Sequence, residues 1–173
     1  MRPRPIMVSR GPALSVYDEN APDAVSWFES VPRSSLAMID ELGMRLDAPI
    51  VDVGGGTSRL AAELLGRGYS DITVVDISAR ALERACEDFP RADRITWVLA
   101  DVRSHDFGRR FAFWHDRAVF HFMVSAEDQR AHLATLARSL EPRGHMILAL
   151  SARMARPAAA VCPAPAIAPM RSQ

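Results

Sequence analysis

Glycines and carboxylates follow three short apolar runs in the sequence. The first run contains Asp52 and is followed directly by three consecutive glycines: Gly54, Gly55 and Gly56. Asp76 follows the second run and Asp101 the third. Glycines let the backbone turn sharply and approach a bound molecule, and carboxylates accept hydrogen bonds from a ribose diol or an exocyclic amine. Each motif alone is often only a turn or a helix cap, but together they predict a ligand site.

A fourth apolar run, at 111–114, is followed by side chains that can exchange protons. His115 and Asp116 come directly after it, and His121 lies a little further along the chain. An imidazole or a carboxylate can take the proton of a nucleophile, directly or through water, so all three are candidate general bases. The alternative that His121 is structural, and that Arg117 pairs with a neighbouring carboxylate, stays open. No further metal ligand lies near them, and we expect no metal site.

The hydrophobic pattern alternates between strands and helices. Apolar or β-branched runs predict strands at 50–53, 72–75, 95–99, 111–114 and 145–150. Helical spacing predicts helices at 34–42 and 59–67, then between Ser78 and Phe89 and between Ser125 and Leu140. Single helices between strands imply right-handed crossovers. We therefore predict an α/β fold with a Rossmann-like, doubly wound, mostly parallel sheet of about five strands, with the ligand at the carboxyl ends of the strands.

The third and fourth predicted helices carry capping signals and apolar stripes. Ser78 is a predicted N-cap, and Ser125 with Asp128 resembles a capping box. The stripe of the third helix is expected to consist of Leu82, Ala85, Cys86 and Phe89. The stripe of the fourth is expected to consist of Leu133, Leu136, Ala137 and Leu140. Such stripes face the core of a globular protein.

The composition argues against several kinds of partner. The 173 residues fit one domain of ordinary size, and basic and acidic residues balance at 21 each. A neutral chain gives no electrostatic reason to expect a nucleic acid or an anionic membrane as partner. No apolar run approaches the ~20 residues that span a bilayer. Cys86 and Cys162 show neither metal-ligand nor disulfide spacing, which predicts a cytoplasmic protein.

The glycine run departs from the pattern of dinucleotide-binding proteins. In a G-x-G-x-x-G motif counted from Gly54, the third glycine would fall on Arg59. NAD and FAD are therefore disfavoured. The chain also contains no Lys, which argues against an oxidoreductase with a Tyr-x-x-x-Lys pair. A ligand with an adenosine and an amino-acid tail, but without a phosphate, suits the site better.

Several segments resemble motifs of class I S-adenosylmethionine-dependent methyltransferases. Residues 50–58 (IVDVGGGTS) resemble their first motif, 74–78 (VVDIS) their ribose-binding loop and 99–102 (LADV) their adenine-contacting loop. Residues 114–122 (WHDRAVFHF) are similar to the fourth motif of a subfamily of small bacterial methyltransferases. Residues 26–28 (SWF) resemble an N-terminal segment of related eukaryotic lysine methyltransferase-like proteins.

The resemblance implies a role for each matching residue, with S-adenosylmethionine as the cofactor. The residues implied at its methionine end are Asp52, Gly54, Gly55 and Gly56. Asp76 would hold the ribose hydroxyls, and Ile77 would lie against the adenine. Asp101 would accept a hydrogen bond from the adenine amine, with Val102 packed beside the ring. His115 would face the reacting centre.

The function implied is methyl transfer to a small molecule or a protein side chain. The transfer is an in-line displacement in which positioning supplies much of the acceleration, and Trp27, Phe28, Trp114 and Phe122 could form an apolar wall of the site. The alternative is a catalytically inactive, truncated protein that binds S-adenosylmethionine. A nucleic-acid methyltransferase is disfavoured by the zero net charge and by His-Asp-Arg-Ala at 115–118, where an Asn-Pro-Pro-Tyr-like motif would stand.

The two ends of the chain differ from the middle. We predict a flexible arm at 1–14, a methyltransferase core at 15–150 and a disordered tail rich in Ala, Pro and Arg at 151–173. Complete class I cores have two further strands, which form a C-terminal hairpin, and prolines disfavour such strands in this tail. Our hypothesis is that residues from Ser151 onward are a frameshifted ending, the alternative being a naturally short protein. The strand edge near 146–150 would then favour a homodimer.

Overall fold

The computed structural model describes residues 32–57, 59–89, 91–117 and 119–149. The predicted arm at 1–14, the aromatic residues Trp27 and Phe28, and the predicted tail at 151–173 lie outside these ranges. The proposed division of the chain into arm, core and tail therefore stays a prediction.

Helices and strands of the described part follow the predicted succession. The helices are α1 (Arg33–Leu42), α2 (Leu60–Gly66), α3 (Ala79–Asp88) and α4 (Ala126–Ser139). The strands are β1 (Ile50–Val53), β2 (Ile72–Asp76), β3 (Ile95–Leu99), β4 (Phe111–Arg117) and β5 (Leu140–Ala149). Short 3₁₀ turns lie at Ala92–Arg94 and Phe120–Phe122.

The five strands form one parallel sheet in the order β3-β2-β1-β4-β5. From the central β1, the chain first builds β2 and β3 on one side and then β4 and β5 on the other. In sheets with such a reversal, ligands bind beyond the carboxyl ends of the strands at the switch point. The predicted doubly wound α/β fold is confirmed, and its switch point lies between β1 and β4.

Apolar side chains pack on both faces of the sheet. On one face, α1, α2 and α3 contribute to a core that includes Leu36, Ile39, Ile50, Leu60, Leu64, Leu82 and Phe113. On the other face, Leu136 of α4 packs against a core formed by Val51, Val53, Val75, Val102, Phe111, Trp114 and Met123. Successive strand residues point to opposite faces, so neighbours in β1 and β4 belong to different cores.

Two helices begin at the predicted capping residues. The Ser78 hydroxyl accepts a hydrogen bond from the backbone N–H of Ala81 at 3.2 Å, and the Ser125 hydroxyl accepts one from the N–H of Asp128 at 3.0 Å. Both serines thereby satisfy a donor that the first helical turn leaves free. The predicted stripe of α3 is wrong in one position, since Cys86 is exposed while the rest of the stripe is buried.

The strand β4 extends three residues beyond its predicted end. The apolar run stops at Trp114, but the strand continues to Arg117 and pairs with both β1 and β5 over this extension. The prediction that His115 and Asp116 follow the strand is therefore wrong, because both lie within it and are buried. Polar residues normally end a buried strand, and these continue it because each finds a partner inside the protein.

The buried face of α4 differs from its predicted apolar stripe. Its buried side chains are those of His132, Thr135 and Ser139. Leu133 is 46% exposed, and Ala137 is exposed as well. Leu140, predicted in this helix, is the first residue of β5. Leu136 of the predicted stripe does pack against the second core, but the rest of the buried face differs because His132 lies against Asp116 of β4.

The strand β5 also begins earlier than predicted. It starts at Leu140, and its register with β4 is irregular between the pair Phe111–Leu140 and the pair Phe113–His145. Pro142 lies in this irregular segment, where a missing backbone N–H is tolerated. The regular part of the strand, from His145, corresponds to the predicted one.

Candidate functional site

The glycine run lies directly against two carboxylates. A Cβ atom added to Gly55 would lie 2.6 Å from Oδ2 of Asp52, and one added to Gly56 would lie 2.7 Å from Oδ2 of Asp76. Gly54 has a positive φ of 66° and donates its N–H to the carbonyl of Val75 at 2.7 Å. Glycine is required here because a side chain would collide with the carboxylates or strain the backbone.

Asp76 is the last residue of β2, and the glycine loop folds over it. Its Oδ1 accepts a hydrogen bond from the N–H of Ser78 at 2.8 Å. Burial raises the pKa of Asp76 to about 6, and hydrogen bonds from the backbone N–H groups of Ser78, Gly56 and Ile77 oppose this rise. The carboxylate of Asp52 adds to the rise by repulsion. None of the groups that shift the pKa of Asp76 is a cation.

Asp52 lies in β1 and is held by a chain of hydrogen bonds. Its Oδ1 lies 2.7 Å from Nδ1 of His115, and Nε2 of His115 lies 2.9 Å from Oγ of Ser35 in α1. All three side chains are buried. The other oxygen, Oδ2, is buried and has no hydrogen-bond partner among the described residues. It is the oxygen that approaches Gly55.

Asp101 follows β3 and is tied to a neighbouring arginine. Partial burial would raise the pKa of Asp101, but hydrogen bonds from the side chain and backbone of Arg103 hold it below its usual value. Nε of Arg103 lies 3.0 Å from both oxygens, and the same guanidinium reaches Asp128 in the first turn of α4. Val102 is buried in the second core. Asp101 is half-buried, so its carboxylate keeps contact with solvent.

Asp116 lies on the opposite face of the sheet from His115. Its Oδ1 accepts hydrogen bonds from the N–H groups of Val119 at 3.2 Å and Phe120 at 3.4 Å. Its Oδ2 lies 2.9 Å from Nε2 of His132 in α4, although the two groups do not have the orientation of a hydrogen bond. Asp116 and His132 are both 0% exposed.

The turn after β4 reaches back to the glycine loop. The side chain of Val119 lies so close to Gly54 that a Cβ added there would be 2.0 Å from its Cγ2. The backbone of His121 lies in the 3₁₀ turn that follows. The side chains of His121 and Arg117 lie outside what the structure describes. The turn that Asp116 holds therefore forms one wall of the glycine loop.

The structure brings some predicted site residues together and separates others. Asp52, Asp76 and the three glycines form one group at the switch point. His115 lies behind this group and is 1% exposed, and Asp116 belongs to the other face. Sequence reasoning missed Ser35, Arg103 and His132. Only Arg103 had a local signal, since a cation two residues from a carboxylate can pair with it.

The described ranges contain neither a cluster of metal-ligating side chains nor a helix that could span a membrane. Within them, no three His, Cys, Asp or Glu side chains are grouped so that they could hold a metal ion. None of the helices described there is long and apolar enough to cross a membrane.

Comparison with known proteins places this geometry in a family. The family model described as "Methyltransferase domain" matches residues 50–144, which include the glycine loop, β4 and α4. The O-methyltransferase cnsE of Penicillium expansum is 29% identical over 63% of this chain and 41% of its own length. Nodulation protein S of Rhizobium fredii is 28% identical over 44% of this chain and 43% of its own length. The chain thus spans about four tenths of these relatives.

Solved structures share the fold at low sequence identity. The glycopeptide N-methyltransferase MtfA complexed with S-adenosylmethionine has a TM-score of 0.57 and 20% identity, over 73% of this chain and 57% of that one. The N-methyltransferase NodS from Bradyrhizobium japonicum, in complex with S-adenosylhomocysteine, has a TM-score of 0.56 and 19% identity, over 72% and 67%. An S-adenosylmethionine-dependent methyltransferase from Clostridium acetobutylicum has a TM-score of 0.59 and 18% identity, over 75% and 52%. Together with the family match from β1 to the first half of β5, this fold shows that the chain belongs to the methyltransferase domain family.

Proposed function

We propose that this chain is an S-adenosylmethionine-dependent methyltransferase that acts on a small molecule or a protein side chain. The observation that carries the proposal is the packing of Gly55 against Asp52 and of Gly56 against Asp76. Only a loop without side chains fits there, and it lies at the switch point where doubly wound folds bind ligands. Relatives and neighbours with methyltransferase names support the same assignment.

The charges of the site fit this cofactor better than a phosphorylated one. Asp52 and Asp76 are close enough for Asp52 to raise the pKa of Asp76, so a negatively charged phosphate would be repelled. A molecule with an ammonium group and a sulfonium is attracted instead. Oδ2 of Asp52 needs a donor, which the ammonium would supply, and Asp76 can accept from two ribose hydroxyls.

The adenine end of the cofactor would be bound by residues that follow β2 and β3. Asp101 would accept from the adenine amine, and Ile77 with Val102 would line the ring. Arg103 already makes four contacts with the two oxygens of Asp101, through its backbone N–H and its guanidinium, and a carboxylate has about four acceptor positions. Arg103 would therefore hold Asp101 in place, and the adenine amine would take over one of these positions.

When bound, the cofactor would supply a methyl group on its sulfonium, and an in-line nucleophile would take this methyl group with release of S-adenosylhomocysteine. The contribution of this chain is then mainly to align the partners. His115 and Asp116 are enclosed and already hydrogen-bonded, so they would orient neighbouring groups rather than take a proton. We keep His121 as the candidate base, because it follows β4 in the turn next to the glycine loop.

The second candidate function is an inactive protein that only binds the cofactor. It is favoured by the enclosure of two of the three predicted bases, since His115 and Asp116 are 1% and 0% exposed. Only the enzyme would convert S-adenosylmethionine to S-adenosylhomocysteine. We would therefore measure this conversion with a panel of amine, hydroxyl and peptide acceptors. Conversion supports the methyltransferase, and loss of conversion in His121→Ala supports His121 as the base.

Calorimetric titration of the full chain with S-adenosylhomocysteine tests the cofactor site. We expect Asp76→Asn to weaken binding about tenfold, because the neutral amide is a poorer acceptor for two ribose hydroxyls than a carboxylate. Asp93→Asn is the matched control, since Asp93 is exposed in the 3₁₀ turn before β3, and we expect unchanged binding. A folded wild-type chain that fails to bind, or an Asp76→Asn variant that binds like wild type, contradicts the proposal.

Location and assembly are part of the same proposal. We place the protein in the cytoplasm, with neither a nucleic acid nor a membrane as partner, in line with its zero net charge. A homodimer would form through β5, which is one of the two edge strands of the described sheet. Sedimentation velocity over a range of concentrations tests this, and a monomer at every concentration would rule it out.

A further inference from the structure

Ser35 links the first helix to the glycine loop. It lies in α1, outside the region 50–144 that matches the family model, and its hydroxyl is 2.9 Å from Nε2 of His115. The imidazole continues the chain to Asp52 at 2.7 Å. The three groups come from three different elements, which are α1, β4 and β1.

The direction of these hydrogen bonds follows from the chemistry of the three groups. An ionised carboxylate only accepts, so Nδ1 of His115 must carry the proton that it donates to Asp52. In the neutral imidazole, Nε2 is then an acceptor, and the Ser35 hydroxyl donates to it. The hydrogen bond at one ring nitrogen thus selects the proton position at the other. Ser35 therefore favours the form of His115 that donates to Asp52.

We propose that Ser35 and His115 are positioning residues that orient the Asp52 carboxylate and so set the affinity of the site for the amino-acid end of its cofactor. This inference rests on the proposed function. His115 holds Oδ1, which leaves Oδ2 beside Gly55. Without this hold, the carboxylate could rotate away from the loop.

The unpartnered oxygen shows why the chain of hydrogen bonds does more than stabilise the fold. A buried acceptor without a donor opposes folding, and native proteins rarely keep one. Oδ2 of Asp52 is such an acceptor among the described residues, although its partner oxygen and both nitrogens of His115 are hydrogen-bonded. An ammonium group that enters the loop would give Oδ2 its donor.

The test compares two probes that differ at the amino-acid end. S-adenosylhomocysteine carries the ammonium and carboxylate groups, whereas 5′-methylthioadenosine lacks them and keeps the adenosine. In the full chain, we expect Ser35→Ala to weaken S-adenosylhomocysteine binding about tenfold, the effect of one lost buried hydrogen bond, and to leave 5′-methylthioadenosine binding unchanged. Ser35→Thr retains the hydroxyl, and we expect it to restore binding.

Ser34→Ala is the matched control, because it makes the same change one position earlier in α1, where the side chain is exposed. Partial unfolding of Ser35→Ala would weaken both probes equally, so the ratio of the two affinities separates positioning from stability. An unchanged ratio, or an equal effect of Ser34→Ala, overturns the inference while leaving the proposed function standing. A wild-type chain that binds neither probe would instead overturn both.

Discussion

Two histidine–aspartate pairs lie on opposite faces of the same strand. His115 and Asp116 are consecutive residues of β4, so their side chains point to opposite sides of the sheet. His115 pairs with Asp52 of β1 at 2.7 Å, and Asp116 lies 2.9 Å from His132 of α4. Both pairs are buried, and in both the Oδ2 atom of the aspartate has no hydrogen-bond partner among the described residues. The two pairs differ in their histidines and in their surroundings.

In the first pair the histidine is satisfied and the aspartate is not. Both nitrogens of His115 are hydrogen-bonded, and Oδ2 of Asp52 has no partner among the described residues. In the second pair Oδ1 of the aspartate is anchored by the N–H groups of Val119 and Phe120, whereas Oδ2 of the aspartate and both nitrogens of His132 make no hydrogen bond among the described residues. The unused atom of the first pair is an acceptor beside the glycine loop, which suits a ligand.

The histidine of the second pair lies among aromatic rings instead. His132 makes edge contacts with Trp114 and Phe120, with ring centroids 6.0 and 5.5 Å apart. This pair therefore joins α4 and the turn after β4 to the sheet. We therefore expect the same two residue types to form a ligand-facing group on one side of the sheet and a structural group on the other.

The largest effect is expected from Asp116→Ala. The substitution removes the buried carboxylate beside His132 and leaves two backbone N–H groups without an acceptor, and we expect the free energy of unfolding to fall by about 3 to 5 kcal/mol. We expect Asp52→Ala to cost about 1 to 3 kcal/mol, because it removes the hydrogen bond to His115 and leaves no backbone N–H of a turn without an acceptor. Urea denaturation of both variants measures the difference.

The exposed Asp88 at the end of α3 supplies the control for both variants. Asp88→Ala is expected to change the free energy of unfolding by no more than about 0.5 kcal/mol. If Asp52→Ala were as destabilising as Asp116→Ala, the distinction between a ligand-facing pair and a structural pair would be wrong.

Asp76 extends the comparison to a buried carboxylate without a histidine. Burial raises its pKa to about 6, so the folded state binds a proton more tightly than the unfolded state does. The stability contributed by this proton is present below the ordinary pKa and is lost as pH rises through about 6. The loss amounts to at most about 3 kcal/mol.

Asp76→Asn is neutral at every pH and should remove this dependence. We expect the variant to gain stability relative to wild type as pH rises from about 3 to 7.5, the range that spans both pKa values. Urea denaturation at several pH values measures the difference in free energy of unfolding between the variant and wild type, with Asp93→Asn as the matched surface control. If this difference in free energy stayed constant across the pH range, Asp76 would take up no extra proton in the folded state.

The smallest effect is expected at an ion pair on the surface. Arg109 and Asp71 contact each other with side chains that are 45% and 33% exposed. Water screens such a pair, and we expect Asp71→Ala to lower the free energy of unfolding by about 0.2 to 1 kcal/mol. Thermal and urea unfolding at low and high salt check this. If Asp71→Ala lowered the free energy of unfolding as much as Asp116→Ala does, solvent exposure would not determine how strongly such a pair stabilises the fold.

Much of the fold and of the cofactor side was predictable from local pattern. The apolar runs of β1 to β3 end at Asp52, Asp76 and Asp101 or close to them, and short-range periodicity locates such runs. The end of β4 was harder to predict from the sequence, because the polar side chains after Trp114 usually signal the end of a strand. His115 and Asp116 continue β4 only because partners distant in sequence compensate their burial.

The sequence by itself determined the succession of strands and helices, the glycine loop and the carboxylates at the strand ends, because these depend on residues near one another in the chain. The tertiary structure decided which face of α4 is buried and which polar groups are enclosed. Ser35 reaches His115, and His132 reaches Asp116, only after α1 and α4 have packed on the sheet. Burial and hydrogen-bond partners are properties of that packing, and no local spacing encodes them.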